Sequence, residues 1–476
     1  MLRRVIFLFA SPFLFSPLLV AQDTRNVTEP AVPPACATLD AQLQTMGQTL
    51  AEADETRLDT VRIQKAIDHC SKEHGVLLRA VGTSNAFLSG PLFLRSGVTL
   101  IVDKGVTLFA SRDPVLFQDP GLDKSPVLSP NNQHRGKTTR FDAPPACGTV
   151  TDSGHGCMPL ITADRVIGAG VMGDGVIDGR GGEKILGTDH TWWDLAELAR
   201  AGGRQQVFRL IVADYADNFT IYRITLKNSP NFHVVYDHGD GFTVWGLKID
   251  TPRRLARNTD GVDPGMGSKN ITITHSFIRT GDDNVAIKGG PGGVTNMTVA
   301  HNHFYWGHGM SIGSETDGGV NRIRITDLSL DGPDNGIRIK SNGSRGGLTH
   351  DVVYDDVCVR DSPNPITLDT GYTAAGTLKG DSRPTMRDIT LHNVRVSGGG
   401  KLSFNGYDQD HRIAATLDGV LLSDDAGYSY SLHHADVRLG PGPSNLHFPA
   451  GEDSAVQGRV STGSAESCAE KYIPFP

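Results

Sequence analysis

Cysteine is scarce, with six residues in a chain of 476. None stands beside histidine at a spacing that suits a zinc site, so a structural zinc module is excluded. Aromatic residues make up 7% and apolar residues 38%, enough for a core but not a rich one. Positive charge is in deficit: 45 lysines and arginines face 53 acids, a net charge of −8. Binding a polyanion such as nucleic acid through the overall field is therefore excluded, and an anionic ligand must be held by a local basic site. Beyond the N-terminus no apolar run reaches membrane-spanning length, so no membrane partner is expected.

The N-terminus reads "MLRRVIFLFASPFLFSPLLVAQDT". Two arginines precede an apolar run that ends near Ala21, the pattern of a signal peptide over residues 1–21. Pro12 and Pro17 interrupt the run and argue against a retained anchor. No cysteine follows it, which argues against a lipoprotein. Export to the periplasm or the extracellular space is expected, and export permits disulfides. Cys147 with Cys157 and Cys36 with Cys70 are candidate pairs, and the alternation of "DDVCVRD" would bury Cys358 as a free thiol. The connectivity stays open.

What the chain has in quantity is glycine, 56 residues, with 21% charged residues. That balance suits many short strands and turns. One helix is expected, in "DTVRIQKAIDHC", where Val61, Ile63, Ala66, Ile67 and Cys70 fall on one face behind Asp59 or Thr60 as the cap. Residues 111–158 read as a long loop, and 183–205 as an insertion with a short helix. From about residue 207 a repeat sets in. Each unit has two strand-like runs and a polar turn, then a third short run. The third runs are "NFHVVYD", "DGVDP", "DNVAIKG", "HGMSIGS", "NGIRIKS" and "NPITLDT". They begin at Asn231, Asp260, Asp283, His308, Asn335 and Asn364, at spacings of 23 to 29 residues. Three strands per repeat of that length describe an all-β fold, a right-handed, single-stranded parallel β-helix with a short N-terminal capping helix. Its expected extent is 57–445, after an N-terminal extension 22–56 and before a C-terminal tail 446–476. The leucine and asparagine spacing of a leucine-rich solenoid is absent.

Equivalent runs stack as neighbouring strands about 4.8 Å apart. Val285 and Ile287, Met310 and Ile312, Ile337 and Ile339, Ile366 and Leu368 then point inward. Ala286 and Lys288, Ser311 and Gly313, Arg338 and Lys340, Thr367 and Asp369 point outward. The outer face carries small residues, then cations, and at its turn edge Asp260, the Asp282–Asp283 pair and His308. Any one of these is more often a turn residue or a solvated face. Three acids, a histidine and two cations in register instead describe a cleft. Crowded carboxyls push their proton affinities apart, so one serves as acid and another as base. Inverting glycosidases need such a set around a water. The cations suit an acidic substrate group such as a carboxylate. "WWD" at Trp192–Asp194 fits a sugar platform or a loop anchor equally, and Glu315 reads as a loop acid. The sequons at Asn26, Asn218, Asn270, Asn296 and Asn342 fall chiefly at turn positions.

These residues resemble the polygalacturonases, family 28 of the glycoside hydrolases. The marks are "NTD" at Asn258–Asp260, "GDD" at Gly281–Asp283, "GHG" at Gly307–Gly309 and "RIK" at Arg338–Lys340, intact and in order. The resemblance runs from about residue 57 to about 440. It implies a pectin-lyase-like solenoid that hydrolyses α-1,4 bonds of galacturonan with inversion, without metal or cofactor, as a monomer whose partner is the pectic polysaccharide. It implies Asp282 as general acid, Asp260 and Asp283 as activators of water, and His308 as support for the acid or a hold on the sugar. Asn258, Lys288, Arg338, Lys340 and Tyr372 fall to substrate binding. Asn284 departs from the residue often found after the acid pair. The insertions before residue 205 suggest a walled cleft and attack from chain ends. Rival readings are a hydrolase of another pectic chain such as rhamnogalacturonan, a calcium-dependent pectate lyase, and a non-catalytic β-helix adhesin.

Overall fold

Corner residues dictate the path of the chain. In a computed structural model, which describes residues 22–119, 147–151, 156–373, 380–423, 427–449, 451, 453–464 and 466–476, Asn270, Asn296, Arg322, Asp351 and Asp388 all take a φ between 53° and 59°. Five residues later His275, His301, Asp327, Asp356 and Asn393 do the same, with φ between 48° and 58°. Asn, Asp and His tolerate this left-handed region best among residues with a side chain, and they fill nine of these ten places. Each set is in register from coil to coil: Asn270 lies between the pairs Lys269↔Thr295 and Ile271↔Met297. Every coil therefore bends at the same two points, and the chain winds into a right-handed parallel β-helix.

The two strand-like runs of each unit are separate at first, as in Ser268–Thr274 and Phe277–Arg279. From Val294 they fuse into strands of 10 to 13 residues, such as Val294–Phe304, Leu348–Arg360 and Ile413–Leu422. Pairing passes the corner on both flanks, from Ala300↔Thr326 to Asn302↔Leu328. The third runs form their own sheet of 11 parallel strands in chain order. They are β1 (Leu92–Phe93), β2 (Ile161–Asp164), β3 (Ile211–Asp214), β4 (Val234–Asp237), β5 (Val262–Pro264), β6 (Val285–Ile287), β7 (Met310–Ile312), β8 (Asn335–Lys340), β9 (Asn364–Asp369), β10 (Gly400–Asn405) and β11 (Tyr428–His433). Val234, Val262, Val285, Met310, Ile337 and Ile366 stack in register along its inner side, all fully buried. Each such side chain contributes about 1.5–3 kcal/mol.

The expected helix is α1 (Thr60–His69). It buries Ile63 and Ile67, but Val61 is 81% exposed and does not share their face. Asp59 stands at the cap position without capping. Its carboxylate accepts from the Leu88 amide at 2.9 Å and from Arg62 at 2.6 Å, and Thr60 Oγ1 accepts from Gly90 N. These bonds tie the helix to the first coils. The insertion holds α2 (Trp192–Leu198), started by a capping box of Thr191 and Asp194. Trp192 packs edge-on to Phe117 and Phe208, and Trp193 Nε1 donates to the Ser229 carbonyl. Both rings are buried anchors, not a sugar platform. Val150–Thr151 pairs antiparallel with Arg204–Gln205, and residues 120–146 of the expected loop lie outside the described residues.

Three disulfides form: Cys36–Cys70, Cys147–Cys157 and Cys358–Cys468. The expected free thiol at Cys358 is thus corrected. Val357 and Val359 fill the lumen, so Cys358 faces outward, where the C-terminal tail covers it. Lys471 in that tail reaches Asp327 and Asp356, at 2.5 and 2.6 Å. At the other end, Asp23 is buried against Thr272 and Thr298, and Arg25 donates to the Phe242 carbonyl. Pairing also extends outside 57–445, in Ala35–Asp40 with His74–Arg79 and Ala455–Gln457 with Asp436–Arg438.

Candidate active site

Asp260, Asp283 and His308 occupy the same place on three neighbouring coils, each two residues before the inward residue that opens β5, β6 and β7. The backbone fixes the stagger: Gly261 N donates to the Asp283 carbonyl at 2.9 Å, and His308 N to the Asp282 carbonyl at 2.8 Å. Asn284 is fully buried behind the acids. Its amide donates to the Ile278 and Trp306 carbonyls and accepts from Gly309 N. It therefore clasps two turns together and leaves the cleft to its neighbours. Gly309 has a φ of 75°, and a Cβ there would stand 2.0 Å from the Asn335 carbonyl. The glycine lets adjacent coils close up, and His308 is left half-buried.

Each acid has a cation. Asp282 Oδ1 meets His308 Nδ1 at 2.8 Å and also accepts from Asp283 N. Asp283 accepts from Ser311 Oγ and Lys340 Nζ, both at 2.6 Å, with Arg338 at 3.4 Å. Asp260 pairs with Lys288 at 3.1 Å, and Lys288 also stands 2.9 Å from Asp263. Burial alone would raise the Asp282 carboxyl, but the hydrogen bond and charge of His308 outweigh it and hold it well below the usual carboxylate range. Burial would lower the His308 imidazole, and Asp282 outweighs that too and raises it. The proton of this pair therefore sits on His308. Asp283 is likewise buried, yet Lys340 and Arg338 pull it down. Asp260 goes the other way: burial raises it well above the usual range despite Lys288. Buried carboxyls of opposite displacement thus stand side by side, the arrangement acid–base chemistry requires.

The remaining expected residues collect around this set. Asn258 sits in the left-handed region at φ 57°, and its backbone N–H donates to Asp282 Oδ2 at 3.3 Å. Tyr372 presents its ring to both Arg338 and Lys340, 5.3 and 5.2 Å from the centroid. Lys288 is in the cleft but is held by two carboxylates rather than free. Glu315 pairs with Arg345 at 2.9 Å. Two residues had no role from the sequence: Ser311, read there only as pointing outward, and Asp263, not singled out. Ser311 is an acceptor-orienting hydroxyl on Asp283. Asp263 is the outward residue of β5, in the row that continues through Ala286, Ser311 and Arg338. The alternation applied to "DGVDP" would have found it. One oxygen or nitrogen from each of Asp282, Asp283 and His308 lies within 4.8 Å of the others. That is a possible metal cage, but Lys340, Arg338 and the imidazole already supply the positive charge there.

The sequence model of "Glycosyl hydrolases family 28" matches residues 120–434. The chain is 36% identical to a polygalacturonase of Ralstonia nicotianae over 94% of this chain and 92% of that protein. It is 41% identical to an endo-polygalacturonase of Pectobacterium carotovorum over 87% and 93%. The chain belongs to glycosyl hydrolase family 28. As a family 28 member it is a glycosidase that hydrolyses O-glycosyl bonds. Among solved structures, a polygalacturonase from Erwinia carotovora superposes with a TM-score of 0.76 at 40% identity, covering 87% of this chain and 99% of that one. An exopolygalacturonase from Thermotoga maritima, at 18% identity and a TM-score of 0.65, shares the fold.

Proposed function

We propose that this family 28 chain is a secreted, monomeric polygalacturonase that cleaves α-1,4 bonds of polygalacturonate with inversion. One observation carries the reading: the Asp260–Asp282–Asp283 cluster lies in register with Arg338 and Lys340 on one outer face. His308 holds the proton of its pair with Asp282 and passes it through the Asp282 carboxyl to the departing oxygen, which leaves the imidazole neutral. A water held between Asp260 and Asp283 attacks the anomeric carbon from the other side and passes its proton to Asp283, the carboxylate that Lys340 and Arg338 keep ionised. Arg338 and Lys340 take the carboxylate of the uronate next to the cut bond, and Tyr372 orients them. Export rests on the N-terminal run of residues 1–21.

Internal cleavage is favoured over the attack from chain ends suggested by the insertions. The relative at 41% identity is named an endo-polygalacturonase; residues 120–146 of the insertion lie outside the described residues. The test is one assay of polygalacturonate digestion with the wild type, Asp282→Asn and Lys340→Ala. The wild type should release reducing ends as a ladder of oligomers, with no new ultraviolet absorbance and no response to chelator. Asp282→Asn should lower kcat by several orders of magnitude at nearly constant KM. Lys340→Ala should weaken uronate binding. Absorbing products that vanish with chelator would mean a lyase. Monomer or dimer alone at early times would mean terminal attack. Unchanged turnover in Asp282→Asn would remove the mechanism.

A further inference from the structure

Arg209 occupies, two coils before Asp260, the same edge position as the acids. Leu210 N donates to the Phe232 carbonyl and His233 N to the Asp260 carbonyl, so Arg209, Phe232, Asp260, Asp283 and His308 form one row. The other cations of the cleft are engaged: Lys288 by Asp260 and Asp263, Arg338 and Lys340 by Asp283. The Arg209 guanidinium has no hydrogen bond or ion pair among the described residues, although the Arg209 carbonyl accepts from Leu160 N. Its guanidinium lies over the Phe232 ring, 5.1 Å from the centroid, and the Lys288 ammonium is 3.9 Å from the same centroid. Asp237, Asp263 and Asp260 are close enough to act on its charge without contacting it, and it is half-buried.

A half-buried guanidinium with its fork unfilled favours an anion that presents two oxygens. We propose that Arg209 binds the carboxylate of a second galacturonate unit, on the opposite side of the acids from Arg338 and Lys340. This rests on the polygalacturonase reading. Coils are about 4.8 Å apart, so Arg209 lies roughly 14 Å along the row from Asp283. The site thus reads a uronate more than one unit from the cut. It requires that unit to be a free acid, because a methyl ester offers the guanidinium no negative charge.

The experiment compares wild type, Arg209→Gln and Arg209→Lys on oligogalacturonates of increasing length and on polygalacturonate, with and without methyl esterification. In the wild type, KM should fall sharply at the length that first reaches Arg209. Arg209→Gln should abolish that fall, raising KM on long substrates about ten- to hundredfold while kcat stays within about twofold. It should also narrow the preference for unesterified over esterified chains. Arg209→Lys, which keeps the charge but not the fork, should recover part of the fall. A general loss of folding would affect short and long oligomers alike and would not change ester preference, so the length profile separates the two. Unchanged KM on long substrates in Arg209→Gln, with an active wild type, would overturn the assignment and leave the activity standing. A wild type that releases no reducing ends from polygalacturonate would overturn both.

Discussion

Asp263 lies 2.9 Å from Lys288, yet its Oδ1 and Oδ2 have no hydrogen-bond partner of good geometry. Burial pushes its carboxyl up to about 7, in spite of Lys288. A folded-state value above the ordinary carboxylate range means that the folded protein holds this proton more tightly than the unfolded chain. Asp263 therefore adds stability at low pH and loses it as pH rises from about 4 through 7. Replacing it with Asn keeps the shape and removes the ionisation. Thermal unfolding of wild type and Asp263→Asn at pH 4, 5.5 and 7.5 reads this directly. The variant should be no more stable at pH 4 and should gain on the wild type with rising pH, by at most about 1.4 kcal/mol per pH unit crossed. A difference that is constant with pH would mean that Asp263 does not titrate in the folded protein over this range.

At the scale of elements, the stack was legible because the solenoid writes its repeat into the chain. Inward and outward positions of β6 to β9 follow from alternation alone, and that placed Asp283, His308, Arg338 and Lys340 on one face. What was illegible was contact between segments distant in sequence. Nothing local in "DDVCVRD" says that a tail 110 residues later covers Cys358. Nor does "VRIQKAI" show that Val61 has no coil to lean on. The tail is the clearest case. It is fixed by Cys468, by Lys471 on two carboxylates, by the Tyr472 ring 4.2 Å from Arg360, and by Phe475 4.0 Å from Arg279. Arg279 also lies over Trp306, two residues from His308. The tail thus backs the turn that carries His308. Cys468→Ser together with Cys358→Ser should cost about 2–5 kcal/mol in a denaturant titration. The loss should appear in the coils from Arg279 to Arg395, as faster amide exchange, before it appears in α1. Uniform exchange across the molecule would mean that the tail is decoration.

At the scale of the whole molecule, a solenoid is a sum of nearest-neighbour contacts, and its length lets a row of side chains follow a polymer. The charge of the molecule works against that use. The net charge is −8, while the proposed substrate is a polyanion. In the cleft, attraction comes from Arg209, Lys288, Arg338, Lys340 and the protonated His308, and all of these but Arg209 are already partnered by acids. Salt acts on the two terms unequally. Long-range repulsion passes through solvent and is screened as the Debye length falls from about 30 Å at 10 mM to about 10 Å at 100 mM. Contacts inside the cleft are close and partly buried, so they are screened much less. The value of kcat/KM on polygalacturonate should therefore rise between about 10 and 100 mM monovalent salt and fall only above that. For a dimer or trimer of galacturonate, which carries little charge, the rise should be small. A monotonic fall for the polymer from the lowest salt would mean that the cleft cations, not the net charge, govern encounter.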